Sequence, residues 1–154
     1  QLELRRTNEH HCNAAWFRVA TEIDVGAWSD DPRWHSRLAE GERAMSTNHL
    51  MGEGYWVWLI RLASGATSVG IVADPEFHAF DEFNTLEKAR AWLAEHEPQC
   101  AAVLAQHDDE IRDFRVMKKY SHGVSRVFDG RHRWCLTGDA GIFGSTVQGG
   151  HHIA

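Results

Sequence analysis

Between Asn13 and Val25 the residues Ala15, Phe17, Val19, Thr21, Ile23 and Val25 fall at every second position. A period of two puts them on one face of an extended chain, so the pattern predicts a long half-buried strand that ends near Gly26. Ser29-Asp30-Asp31 then supplies capping side chains ahead of Pro32. Proline suits a first helical position, and a short helix is expected through Trp34 to about Leu38. Consecutive strands are expected at 44–51, 55–62 and 67–73, punctuated by Gly52-Glu53-Gly54 and Ser64-Gly65, with an antiparallel meander as the simplest layout. In Tyr55-Trp56-Val57-Trp58-Leu59-Ile60 both alternating sets are apolar. That strand should be covered on both faces and lie at the centre of the sheet, with Trp56, Trp58 and Ile60 forming one wall.

The period changes after Asn84. With Glu87 three residues later Asn84 makes a capping-box-like start, and Leu86, Ala89 and Leu93 recur at helical spacing, predicting a helix over 85–96. Pro98 opens a second helix through Ala101, Leu104 and Ala105. Strand-like patterns return at 114–120, 124–128 and 134–137. The expected fold is α+β: a mixed, largely antiparallel sheet with one main helix packed on a face, in a single domain spanning 1–154.

Composition narrows the function classes. The 154 residues, 43% hydrophobic and 25% charged, suffice for one core of two packed layers. A net charge of -6, with no Lys/Arg run longer than a pair, gives no electrostatic footprint for nucleic acid. No apolar run approaches the roughly 20 residues that span a bilayer, and Gln1 to Arg6 has no signal-peptide character, so a cytoplasmic protein without membrane contact is expected. Cys12, Cys100 and Cys135 are odd in number and widely spaced, as expected of reduced thiols, with Cys135 a small core residue in its strand. His10-His11-Cys12 and His151-His152 lack zinc-ligand spacing, and no metal site is expected. The non-Met start and the end just after a Gly-rich turn lead us to expect a piece of a longer protein.

Two motifs point to chemistry. Gly54-Tyr55-Trp56-Val57-Trp58-Leu59-Ile60, preceded by Ser46-Thr47-Asn48-His49-Leu50-Met51, resembles the tryptophan-x-tryptophan-x-isoleucine-proline signature of flavin-dependent halogenases, with Arg61 in the proline's place. The resemblance implies that the tryptophans stand between substrate and flavin, so that flavin chemistry makes hypohalous acid rather than hydroxylating the substrate directly. It assigns Trp56, Trp58 and Ile60 to the substrate pocket; the residues alone are equally compatible with a packed core. Arg133-Trp134-Cys135-Leu136-Thr137-Gly138-Asp139-Ala140-Gly141 is similar to the glycine-aspartate motif of FAD monooxygenases and halogenases. There the aspartate accepts hydrogen bonds from the ribityl hydroxyls, which makes Gly138, Asp139 and Gly141 the expected cofactor contacts. A carboxylate is an acceptor and polyol hydroxyls are donors, so the chemistry is consistent.

The similarity runs roughly from Asn13 to Gly141 and corresponds to the middle of a full enzyme: the substrate-sheet region plus the Gly-Asp flavin turn. No Gly-x-Gly-x-x-Gly unit for the FAD pyrophosphate is present, and no residue can be assigned the family's catalytic glutamate or lysine. The implied whole is an FAD-dependent halogenase-like oxidoreductase or monooxygenase that acts on a small organic substrate, with a flavin reductase supplying reduced flavin. This piece alone is expected to be inactive. The alternative is a non-catalytic small-ligand-binding or structural α+β domain that never holds flavin.

Overall fold

The computed structural model describes residues 3–7, 11–38 and 42–143. In chain order the strands are β1 (Arg5–Arg6), β2 (Asn13–Val19), β3 (Asn48–Gly52), β4 (Tyr55–Arg61), β5 (Thr67–Ala73), β6 (Ile111–Met117), β7 (Gly123–Val124), β8 (Phe128–Asp129) and β9 (Trp134–Cys135). The helices are α1 (Pro32–Ser36), α2 (Leu86–His96) and α3 (Pro98–Leu104). Five strands form one sheet in the order β3-β4-β5-β2-β6, and its pairings are all antiparallel.

The meander of β3, β4 and β5 follows from its turns. Gly54 and Gly65 adopt φ of 72° and 78°, left-handed values that cost a glycine little and let the chain reverse within a few residues. β2 then adds to β5 from the far side of the sequence, with Phe17 opposite Val69 and Trp16 opposite Gly70. The strand at 55–61 is interior, but β5 holds the centre, because β2 and β6 extend the sheet beyond it. Its two faces are also unequal: Tyr55, Val57 and Leu59 are buried, whereas Trp56, Trp58 and Ile60 are half-buried.

On the fully covered face, Phe17, Val19, Val57, Leu59, Val69 and Ile71 pack against Phe83 and against Ala89, Trp92, Leu93, Cys100 and Leu104 from α2 and α3. Burying such side chains contributes about 1.5–3 kcal/mol each, which makes this layer the main source of stability. The α2 cap is Thr85, whose hydroxyl accepts from the Lys88 amide, one residue later than the Asn84 start that the sequence predicts. Asp31 caps α1 ahead of Pro32 in the expected way.

Three further expectations are corrected. The first strand stops at Val19 rather than Val25: Ile23 donates its amide to the Thr67 hydroxyl and Asp24 caps a single 3-10 turn at Val25–Trp28, so Ile23 and Val25 reach the core without strand pairing. Residues 43–45 form a 3-10 turn before β3. Beyond β6 the strands are only two residues long, and Cys135 is exposed because β8 and β9 pair with each other and not with the main sheet. His10, His151 and His152 lie outside the described residues.

Candidate functional site

The second face of the sheet carries a smaller cluster. Its geometry follows from strand register, because directly opposed residues on adjacent strands share a face. One row across the sheet reads His49, Trp58, Gly70, Trp16, Arg115, and the next reads Met51, Trp56, Val72, Ala14, Met117. Two tryptophans therefore flank a glycine. With no Cβ on Gly70, the Trp58 ring settles onto the β5 backbone, and a Cβ built there would fall well inside 3.0 Å of that ring.

Trp58 is held on three sides. Its ring centroid is 6.4 Å from that of Trp16 and 5.6 Å from that of Trp56, and its indole N–H donates to the Ser68 hydroxyl at 3.1 Å. The three indoles, with Ala14, Val72, Met117, Tyr120 and Phe143, line a cavity of about 490 Å³. Apart from the Tyr120 phenol, no lining residue is ionisable. The space is shaped to hold an apolar body, not to move protons.

Trp56 and Trp58, two of the three residues assigned to a substrate pocket, line this cavity, and Ile60 does not. The other six of its eight lining residues were not anticipated. Trp16 and Ala14 belong to the set on β2 opposite Phe17 and Val19, and Met117 comes from the sheet edge.

The Gly-Asp segment forms a 3-10 turn, Gly138–Ala140, closed by the Gly141 amide donating to the Gly138 carbonyl at 2.9 Å. Gly138 has φ of 57° with open space on its Cβ side, Gly141 is buried, and Asp139 is exposed. The Asp139 carboxylate makes no hydrogen bond or ion pair among the described residues. Exposed at the turn, the carboxylate is an available acceptor. The turn is not a lining element of the cavity, but two residues past Gly141 the chain returns to it: Phe143 and His122 exchange backbone hydrogen bonds of 2.7 and 2.9 Å, and the Phe143 ring packs edge-on against Tyr120. The two motifs, about 80 residues apart, are thus joined at the cavity's end by Phe143.

A second concavity, lined by Phe77, His78, Glu82, Trp92, Glu95 and His96, lies on the helical side. Trp92 can only donate, so His78 accepts through Nδ1 at 3.3 Å and its Nε2–H donates to the Glu53 carbonyl at 2.9 Å. His78 is thereby a strut between α2 and the β3–β4 turn. The Tyr55 hydroxyl donates to the Glu97 carboxylate at 2.9 Å, and burial, with that carboxylate beside it, pushes the phenol up to about 12. These contacts tie the helices to the sheet. Burial likewise raises the thiols of Cys12 to about 11 and Cys100 to about 12, which removes both as nucleophiles. Among the described residues no group of three or more His, Cys, Asp or Glu is placed to hold a metal ion, and no helix is long and apolar enough to cross a membrane.

Comparison with known proteins supplies the context. No family model matches the chain. The flavin-dependent halogenase chlA of Dictyostelium discoideum is 31% identical over 96 residues, covering 61% of this chain and 15% of that protein. Among solved structures, halogenase PltM aligns with a TM-score of 0.70 at 17% identity, covering 95% of this chain and 30% of its own. A flavoprotein/dehydrogenase from Cytophaga hutchinsonii gives 0.61 at 20%, and the flavin-dependent halogenase CmlS gives 0.57 at 22%; the chain covers 32% and 24% of them. The chain therefore resembles flavin-dependent halogenases in sequence, has the fold of one segment of them, and spans less than a third of the length of each of these proteins.

Proposed function

We propose that this chain is the substrate-sheet segment of an FAD-dependent halogenase-like oxidoreductase, a single domain in which the indole-walled cavity receives a small organic substrate and the Gly-Asp turn faces the flavin. The observation that carries this reading is the joining of two motifs, far apart in sequence, at one cavity: Trp56 and Trp58 form its wall, and the segment following Asp139 closes its end through Phe143. The similarity to chlA, and the existence of PltM as a complex with phloroglucinol and FAD, support the choice of cofactor.

The residues present fit that cofactor in part. Open space beside Gly138 admits a bulky group, and the Asp139 carboxylate offers acceptor oxygens that suit ribityl hydroxyl donors. When bound, the flavin supplies the oxidising chemistry. The chain's own residues bind, orient and shield. Trp16, Trp56 and Trp58 present flat apolar faces that fix the plane of a ring and exclude water, while Tyr120 and Phe143 close the end. A flavin reductase as electron source, and halogenation rather than hydroxylation as outcome, are the further parts of the proposal; both follow from the resemblance of the tryptophan motif.

The test is Asp139→Ala in a protein that carries this segment together with a dinucleotide-binding unit. Losing a charged acceptor should weaken FAD binding by about 1.5–3 kcal/mol, roughly tenfold to a hundredfold. Unchanged FAD affinity removes Asp139 from the site. The rival reading, a small-ligand-binding domain that never holds flavin, would be favoured by that result combined with ligand binding in the cavity.

A further inference from the structure

We infer that the cavity prefers an apolar ligand carrying one carboxylate, with the ring system against the indoles and the anionic group at Arg115 on the β6 rim. The inference rests on the cavity being a ligand pocket, as proposed above, and adds the charge class of the ligand.

Residues two apart along β6 share a face, so Asp113, Arg115 and Met117 lie on one side of the strand. Met117 lines the cavity, and Arg115 sits directly across from Trp16, another lining residue. Arg115 is therefore the charged side chain next to the indole wall at the open sheet edge.

Its nearest acidic neighbour, Asp113, feels the Arg115 charge but accepts its hydrogen bonds from a different arginine. Arg18 donates to it through Nε at 3.0 Å and Nη2 at 2.6 Å, and the Arg18 amide adds a third bond at 3.1 Å. One cation and one anion cancel there. Arg115 makes no hydrogen bond or ion pair among the described residues and is exposed, so its guanidinium is available. The cavity lining itself, which Arg115 borders without joining, carries neither a carboxylate to repel an anion nor a cation to bind one. A planar guanidinium matches a carboxylate with two parallel N–H donors, a geometry that an ammonium lacks.

Position and chemistry then select the ligand. A purely apolar molecule would use the indoles and leave Arg115 unused. A small anion without an apolar body would find a single exposed cation, worth little in water. Only a molecule with both features uses the whole site.

The experiment is calorimetric titration of the chain with naphthoate and with its neutral isostere naphthamide, at low and at raised ionic strength. The expected result is that naphthoate binds about threefold to fivefold tighter at low salt, the range a partly exposed ion pair supplies, and that added salt shrinks the difference. Arg115→Gln should make the two affinities equal while leaving naphthamide binding unchanged, which also shows that the variant is folded. Arg115→Lys should restore part of the preference. Equal affinity of the wild type for both ligands, or a preference that survives in Arg115→Gln, overturns the inference and leaves the pocket standing. Binding of neither ligand overturns the pocket reading and the inference together.

Discussion

Replacing Gly70 by alanine tests whether the indole wall is built as the register requires. The added methyl would project into the Trp58 ring, closer than the 3.0 Å below which something has to move. Trp58 has little room to retreat, being packed between Trp16 and Trp56 and bonded to Ser68. Overpacking of this kind costs about 1–3 kcal/mol. Breaking the Trp58–Ser68 hydrogen bond adds about 0.5–1.5 kcal/mol. Against this, alanine in a strand is favoured over glycine by roughly 0.5–1 kcal/mol through lower backbone entropy in the unfolded chain. The net expectation is a loss of about 1–3 kcal/mol, read as a lowered midpoint in urea denaturation with an unchanged slope. Combining Gly70→Ala with Trp58→Ala should remove most of that cost, because the clashing ring is gone and the two sites are directly coupled. A Gly70→Ala protein as stable as wild type, or a cost that persists in the Trp58→Ala background, would refute the packing described here.

Other expectations follow from burial and charge. Under native conditions a thiol reagent should modify Cys135 rapidly and Cys12 and Cys100 only on unfolding, since the latter two are buried and held protonated; fast reaction of a second thiol contradicts this. Because those two thiols are raised above their ordinary 9.0, the stability they contribute is complete below that pH and should be lost as pH climbs toward about 11 and 12, which denaturation midpoints across that range will show. Asp113 behaves in the opposite sense: the Arg18 hydrogen bonds hold its carboxyl below 3.8, so its contribution is present above that value and fades as pH falls through the folded-state value. Asp113→Asn should therefore lower stability near neutral pH by at most about 1 kcal/mol, with the gap to wild type closing in acid.

Much of the sheet was legible because its signals are local. The two-residue period of 55–60, the glycines at 54 and 65, and the helical spacing of Leu86, Ala89 and Leu93 each act within a few residues, and the elements formed accordingly. The far wall of the cavity was not legible, for a physical reason. β2 is apolar on both faces, and only its pairing with β5 and β6, some 50 to 100 residues away, decides that Trp16 and Ala14 face the cavity. Gly70 carried the one overlooked clue, an isolated glycine within a strand pattern, which marks a close approach. The early end of β2 is a case of local chemistry overriding period: Thr21, Ile23 and Val25 continue the alternation, but the Asp24 cap and the Thr67 hydroxyl take the backbone hydrogen bonds that strand pairing would have used. Cys135 misled in the same way, since an apolar stretch that pairs only within a short hairpin has no core to enter.

The central claim is that a ligand-sized apolar cavity stands against Trp16, Trp56 and Trp58, and the indole N–H signals of the chain test it most directly. The seven tryptophans are at positions 16, 28, 34, 56, 58, 92 and 134, and each gives one such signal in a nitrogen-15 correlation spectrum. Titration with naphthamide should shift the signals of Trp16, Trp56 and Trp58 together, with one apparent affinity, and leave those of Trp28, Trp34, Trp92 and Trp134 in place. A titration that moves Trp92 or Trp34 instead, or moves none of the seven at millimolar ligand, on the order of the weakest affinity a small site would show, contradicts the account.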